Sequence, residues 1–394
     1  MKQGSSGLFG IILVTIAVGA IISIVTGTNP FSRIPRVELE SPRTQAVPKK
    51  EADFVVAGWI PEWAGQSGLE SVQNNNETLT NISPVWYDAN EDGTLNDKRP
   101  KEADRILREA QANGIEVTVT ISLFSHEILT SIYSDPQRLQ THIDALVEAG
   151  SQDRVDGIDI NYESTKLSDK EGYFAMLEGL YNGLRERGKK TVVTVLPQWG
   201  LSEYLSLKET RAVQDWARIS QYADEVRVMA YDYTWQSAPN SGPIGPLNWH
   251  EEIIRYGIEQ VDPQKLVLGI HLYSYEKYTE REEPGPYRSD LLTFVTSLEE
   301  NRGEANTSRA YTYSTIQKIY AENEIISDET YQGERVIRYS KFNDDSGKFE
   351  DRVTVYIDPN GVQQRVDLAK KYNLGGIAFW RLGGEGELIQ GISQ

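Results

Sequence analysis

The chain has 394 residues, 39% hydrophobic and 25% charged, with a formal net charge of −18 and no cysteine. Disulfides and thiolate metal sites are therefore excluded. A surface this acidic, with no dense Lys/Arg run to offset it, repels nucleic acid and suits a neutral or cationic ligand.

Leu8 to Gly27 is twenty residues without a charge, rich in Ile, Val and Ala. As a helix it is long enough to cross a bilayer core of about 30 Å. No small-x-small cleavage site follows the apolar run, so residues 1–27 are expected to be an uncleaved transmembrane anchor rather than a removed signal segment. Residues 28–50 carry Pro30, Pro35, Pro42 and Pro48 among polar residues without an apolar period, which reads as an extended linker.

From residue 51 to the end, strand-like and helix-like patterns alternate. Apolar strands are expected at Phe54–Gly58, Ile82–Tyr87, Ile115–Ser122, Val155–Tyr162, Thr191–Leu196, Glu225–Tyr231, Leu266–Leu272 and Gly376–Trp380. Helical periods lie between most of them, at Glu102–Ala112, Pro136–Ala149, Lys170–Arg187, Arg211–Tyr222, Trp249–Glu259 and Gly361–Tyr372. Strands alternating with crossover helices argue for a parallel sheet, and eight is the number that closes a (β/α)8 TIM barrel. An open doubly wound sheet is the competing architecture, but no Gly-rich phosphate loop follows the first strand. The connection from about 273 to 360 is overlong. It holds a helical stretch near Thr315–Glu322, then two alternating runs, Glu334–Phe342 and Lys348–Ile357, around the turn Asn343–Gly347. A small α+β insertion with a hairpin is expected between the seventh and eighth strands.

The fourth strand ends in acid, in the run Asp156-Gly157-Ile158-Asp159-Ile160-Asn161-Tyr162-Glu163. Side chains alternate along a strand, so Asp159, Asn161 and Glu163 share one face and Asp156 takes the other. Such a row is costly to bury unless it is solvated, paired or used. Asp156 reads as a structural partner. Six of the eight tryptophans, Trp59, Trp63, Trp86, Trp199, Trp235 and Trp380, fall at or just past the carboxyl ends of expected strands. That is the end at which barrels of this type place their sites. Indole faces stack on the C–H faces of sugars, although any one of these residues could equally be core. His126, His250 and His271 are dispersed, so neither a metal nor another cofactor is expected. Asp88-x-Asn90-x-Asp92-Gly93 imitates the start of a calcium loop, but Arg99 stands where the bidentate Glu is needed.

The acid row resembles the catalytic strand of glycoside hydrolase family 18, D-x-x-D-x-D-x-E, with Asp156, Asp159 and Glu163 in place and Asn161 where the family usually has Asp. Met229-Ala230-Tyr231-Asp232 resembles the sixth-strand motif M-x-Y-D, and Gly375–Trp380 the last strand. Asn81–Tyr87 followed by Asp92-Gly93-Thr94-Leu95 is similar to the spore-cortex glucosaminidase branch. The resemblance spans about residues 53 to 390. It implies a glycosidase acting on β-linked N-acetylglucosamine glycans, peptidoglycan or a cortex-like polymer ahead of chitin. Glu163 would be the general acid/base, and the substrate's own 2-acetamido oxygen the nucleophile, so no second enzyme carboxylate is needed. Asn161 would orient the acetamido N–H through its side-chain oxygen, with Asp159 in support. Tyr231 would hold the acetamido carbonyl, Asp232 would bind near the cleavage point, and Trp380 would floor the central sugar. Trp59, Trp86, Trp199, Met229 and Trp235 would line the rest. Asn161 supplies no charge, and loss of one electrostatic stabiliser typically costs about 10²–10³ in rate. A lectin-like barrel that holds glycan without cleaving it is the alternative. The anchor is expected to leave the domain outside the cell, although Arg33, Arg36 and Arg43 after the apolar run would alone favour the inside.

Overall fold

The computed structural model describes residues 54–199, 209–288, 292–297, 300 and 308–392. The expected anchor, Leu8–Gly27, and the linker 28–50 lie outside them. Among the described residues no helix is long and apolar enough to cross a membrane.

The described residues form fourteen strands: β1 (Val55–Pro61), β2 (Asn81–Ala89), β3 (Leu95–Asp97), β4 (Glu116–Leu123), β5 (Gly157–Tyr162), β6 (Lys190–Val195), β7 (Glu225–Val228), β8 (Leu266–His271), β9 (Tyr273–Arg281), β10 (Ser308–Thr312), β11 (Ile325–Tyr331), β12 (Glu334–Asn343), β13 (Lys348–Tyr356) and β14 (Gly376–Trp380). Eight of them run parallel in the order β1-β14-β8-β7-β6-β5-β4-β2, and β2 pairs back onto β1. The sheet is thus a closed (β/α)8 barrel, which leaves no parallel strand with an open edge. β3 lies antiparallel against the outer end of β2. Every residue of β5 and β8 is buried. Such strands are covered on both faces, which is why β8 reads as a near-continuous apolar run, while β5 alternates Ile with the buried Asp159 and Asn161.

Two expected elements changed form. The strand expected at Glu225–Tyr231 stops at Val228. There the backbone turns on itself, with Ala230 N–H bonded to the Val228 carbonyl (2.8 Å) and Tyr231 N–H to that of Met229 (2.9 Å). Met229–Asp232 therefore stands on the rim rather than in the ladder. The helix expected at Arg211–Tyr222 is two short helices, Glu209–Val213 and Trp216–Ile219. Asp215 divides them because its carboxylate caps the second, accepting from Arg218 N–H.

The main core lies between barrel and helices and includes Ile60, Leu69, Ile106, Ile158, Phe174, Leu177 and Ile377. The barrel interior is more polar. Arg227, fully buried, donates to Ser83 (2.6 Å), Asn81 (3.1 Å) and Glu225 (2.8 Å). Asp156 accepts Val117 N–H at 2.8 Å, a structural partner as its strand parity implied. Gly269 in β8 is required by space, since a Cβ there would meet the Val228 carbonyl at 2.2 Å and the Tyr231 ring at 3.2 Å. Gly269→Ala is expected to destabilise the fold by about 1–3 kcal/mol; an unchanged denaturation midpoint would contradict this.

Buried His142 donates from Nδ1 to the Gly93 carbonyl (2.9 Å), so its Nε2 accepts from the Tyr162 hydroxyl (2.6 Å). Burial pushes its pKa down to about 4, from 6.5, with the Gly93 bond opposing. Because the unfolded chain takes the proton first, stability contributed by this site is lost as pH falls from about 6.5 to about 4. The loss amounts to about 3 kcal/mol. Buried His250, beside Arg365, acts in the same direction. His142→Gln keeps a donor and an acceptor, and should flatten the urea midpoint against pH across that window; an unaltered curve would count against the assignment.

Between β8 and the last helix, Pro359–Lys371, the chain builds a second sheet, antiparallel, in the order β10-β9-β13-β12-β11. The expected hairpin is β12–β13, and the helix Tyr313–Glu322 packs Ile316 and Ile319 against Ile337, Tyr339 and Tyr356. Fully buried Glu334, at the start of β12, ties this insertion to the barrel. It accepts Ile244 N–H (2.9 Å) and Gly245 N–H (2.8 Å), and it faces His271 at 3.0 Å and Arg365 at 3.7 Å. Burial works to raise its pKa, but His271, Arg365 and these donors hold the carboxyl below its usual range.

Candidate active site

The acid row climbs out of the barrel along one face of β5. Asp159 is deepest and fully buried. Its Oδ2 accepts from Trp59 Nε1 and Thr120 Oγ1, both at 2.8 Å, and its Oδ1 from Thr194 Oγ1 at 2.7 Å. Burial raises its pKa more than Arg227 and these donors lower it. Asn161 comes next, buried, and donates from Nδ2 to Glu163 Oε1 at 3.0 Å. Its Oδ1 is buried without a hydrogen-bond partner among the described residues. Glu163, just past the strand, is half-buried, with its N–H on the Leu123 carbonyl at 3.1 Å.

The turn after β7 brings Tyr231 and Asp232 over this row. Burial, then the charges of Glu163, Asp232 and Asp159, hold the Tyr231 phenol well above its usual range, so it stays a proton donor. Asp232 sits at φ +59°, a left-handed conformation that Asp tolerates better than most residues. Its Oδ1 accepts from the Tyr275 hydroxyl at 2.8 Å and also from that of Tyr273.

Asp232 joins two cavities into one cleft. The first, of about 350 Å³, is walled by Trp63, Tyr273, Tyr275, Trp380 and Arg381. The second, of about 520 Å³, holds Glu163, Trp199, Met229, Tyr231, Trp235 and Trp249. Trp380 thus lies on one side of Asp232 and the Glu163 carboxyl on the other.

Two tryptophans expected to meet a ligand do not reach the cleft. Trp59 is 2% exposed, because β1 continues to Pro61 and turns the indole inward. Its N–H is spent on Asp159, and its ring lies 6.2 Å from that of Trp380, which it supports from below. Trp86 is 1% exposed and sits in the main core. It shares strand parity with Ile82 on the helix-facing side of β2, while Ser83 points into the barrel toward Arg227. Met229, Trp199, Tyr231, Asp232, Trp235 and Trp380 do line the cleft, and Trp235 is 40% exposed there. Tyr273, Tyr275, Trp249, Arg211 and Arg381 were not singled out from sequence. The Tyr-x-Tyr pair directly after β8 was the one available signal. Among the described residues no cluster of His, Asp and Glu could hold a metal ion.

Barrels of this build place their chemistry at the carboxyl ends of the strands. A carboxyl set among indoles at that end defines the class as a carbohydrate-active (β/α)8 barrel. The model for glycosyl hydrolases family 18 matches residues 56–385, and the chain belongs to that family. It is 25% identical over 325 residues to a cortical fragment-lytic enzyme of Bacillus anthracis, covering 81% of this chain and 68% of the relative. The fold is similar to a chitinase from Chromobacterium violaceum, with TM-score 0.71, 16% identity, and 86% and 99% of the two chains covered. It is also similar to the spore cortex-lytic enzyme SleL of Bacillus cereus, with TM-score 0.68, 19% identity, and 85% and 73% covered.

Proposed function

We propose that the chain is a retaining glycosidase that cleaves β-linked N-acetylglucosamine glycans with the help of the substrate's acetamido group. The sugar to be cleaved lies on Trp380, and its glycosidic oxygen faces Glu163 across the junction at Asp232. Glu163 protonates that oxygen as the acetamido carbonyl oxygen attacks the anomeric carbon, giving a cyclic oxazolinium. The Tyr231 hydroxyl donates to the attacking carbonyl, and Asn161 Oδ1 accepts the acetamido N–H. Glu163 then takes a proton from the water that opens the ring, so the β configuration is kept. The observation that carries this reading is the unsatisfied buried acceptor of Asn161, held next to Glu163 and in need of a donor that a 2-acetamido group has.

Peptidoglycan or a cortex-like glycan is the preferred substrate ahead of chitin, supported by the similarity to a cortical fragment-lytic enzyme. The test is digestion of N-acetylglucosamine oligomers and of peptidoglycan, with the first product read by NMR. A β-anomer is expected; an α-anomer, or no product from either glycan, would reject the proposal.

We further propose that Leu8–Gly27 anchors the domain to the outer face of the membrane. The chain has no cysteine, so Asp345→Cys, in an exposed turn, would be the sole thiol. A membrane-impermeant maleimide should label it in intact cells; labelling only after lysis would place the domain inside.

A further inference from the structure

Arg381 stands out among the arginines near the cleft. In the insertion, the buried Arg352 and the partly buried Arg281, Arg309, Arg335 and Arg338 each pair with a carboxylate. Arg381 is half-buried too, yet among the described residues no carboxylate lies within ion-pair distance of it. Its Nη1 donates to two backbone carbonyls, Leu382 (3.3 Å) and Gly383 (3.2 Å), and its guanidinium lies 6.0 Å from the Trp63 ring centre. Glu385, a carboxylate whose charge reaches it, is taken up by the N–H groups of Gly383 (2.8 Å) and Gly384 (2.9 Å) and by Asn75 (3.1 Å). A half-desolvated cation without a counter-ion is costly. It is more unexpected in a chain with 58 acidic and 40 basic residues.

The position says what could supply the missing charge. Arg381 follows Trp380 and lines the half of the cleft away from Glu163. If the reacting sugar rests on Trp380, the next sugar on the side away from the broken bond passes Trp63 and Arg381. We propose that Arg381 binds a carboxylate on that neighbouring sugar. The cleft would then select a glycan that alternates neutral amino sugars with acid-bearing ones, as peptidoglycan strands carrying lactyl ethers do. The guanidinium N–H groups not spent on backbone carbonyls would make charge-assisted hydrogen bonds to it, geometry that suits Arg better than Lys. A second cation, Arg211, lines the Glu163 half, where the other acid-bearing neighbour of the same neutral sugar would lie. This inference rests on the proposed function and narrows its substrate.

The experiment uses the full chain and three substrates: glycan strands with free lactyl carboxylates, the same strands with those carboxylates amidated, and a chitin oligomer. Wild type should lose about 10- to 100-fold in kcat/KM on amidation, the scale of one charge-assisted contact. Arg381→Gln should lose as much on the free-acid strands, become indifferent to amidation and lose clearly less on chitin, which offers no carboxylate; Arg381→Lys should recover part of the loss. Wild type indifferent to amidation, or Arg381→Gln equally impaired on chitin, would overturn the inference. Should wild type cleave none of the three, the glycosidase reading fails instead. Calorimetric binding of the free-acid and amidated strands then decides on Arg381. A preference for the acid that Arg381→Gln abolishes supports its role, and equal affinities refute it.

Discussion

Glu163→Gln is expected to lower kcat by about 10²–10⁴-fold, the usual worth of a general acid/base, while glycan affinity stays close to that of wild type. Gln keeps the volume of Glu163 and an oxygen for the bond from Asn161 Nδ2, so the row on β5 has no reason to rearrange. What it lacks is the transferable proton. Single-turnover hydrolysis beside calorimetric binding separates the two effects. A variant that still turns over, or one that no longer binds, would show that the carboxyl acts otherwise than as the acid.

The second large effect concerns Asn161. Asn161→Ala removes the acceptor for the acetamido N–H and should cost about 10²–10³ in kcat, the scale of one lost transition-state contact. Asn161→Asp should move activity the other way. Asp159 is already engaged by Trp59, Thr120 and Thr194, so a carboxylate at 161 would act chiefly on the developing oxazolinium and on Glu163. A like charge beside Glu163 raises its pKa. The alkaline limb of the kcat–pH profile should therefore shift upward while the rate rises. If wild type is inert and Asn161→Asp active, the barrel as it stands is a glycan-binding protein. If Asn161→Ala matches wild type, the residue does not touch the reacting group.

The barrel was legible because its strands are dense in β-branched residues, and β14 spans the expected Gly376–Trp380. Strand length is what misled the reading of the site. Trp59 was expected just beyond a strand ending at Gly58, but β1 runs on to Pro61 and pairs Trp59 with Ser83. The opposite error occurred at β7, where the early stop at Val228 frees Tyr231 and Asp232 for the rim. Strand β9, YSYEKYTER, gives no apolar alternation, since it owes its place to long-range pairing with β10 and β13. Yet it delivers Tyr273 and Tyr275 to Asp232. Arg381 gave no local signal, because an arginine after a strand reads as solvated until it is seen that no carboxylate among the described residues lies within ion-pair distance.

The Glu334 contacts bear on how such proteins can diverge. One side chain from the insertion serves His271 at the end of β8, Arg365 of the final helix and the backbone at Ile244 and Gly245. A descendant that shed the insertion would leave those basic groups and amides stranded in a dry interior. Loss of the module should therefore be accompanied by concerted replacement at 271 and 365, a trio that ought to co-vary across lineages with and without the second sheet.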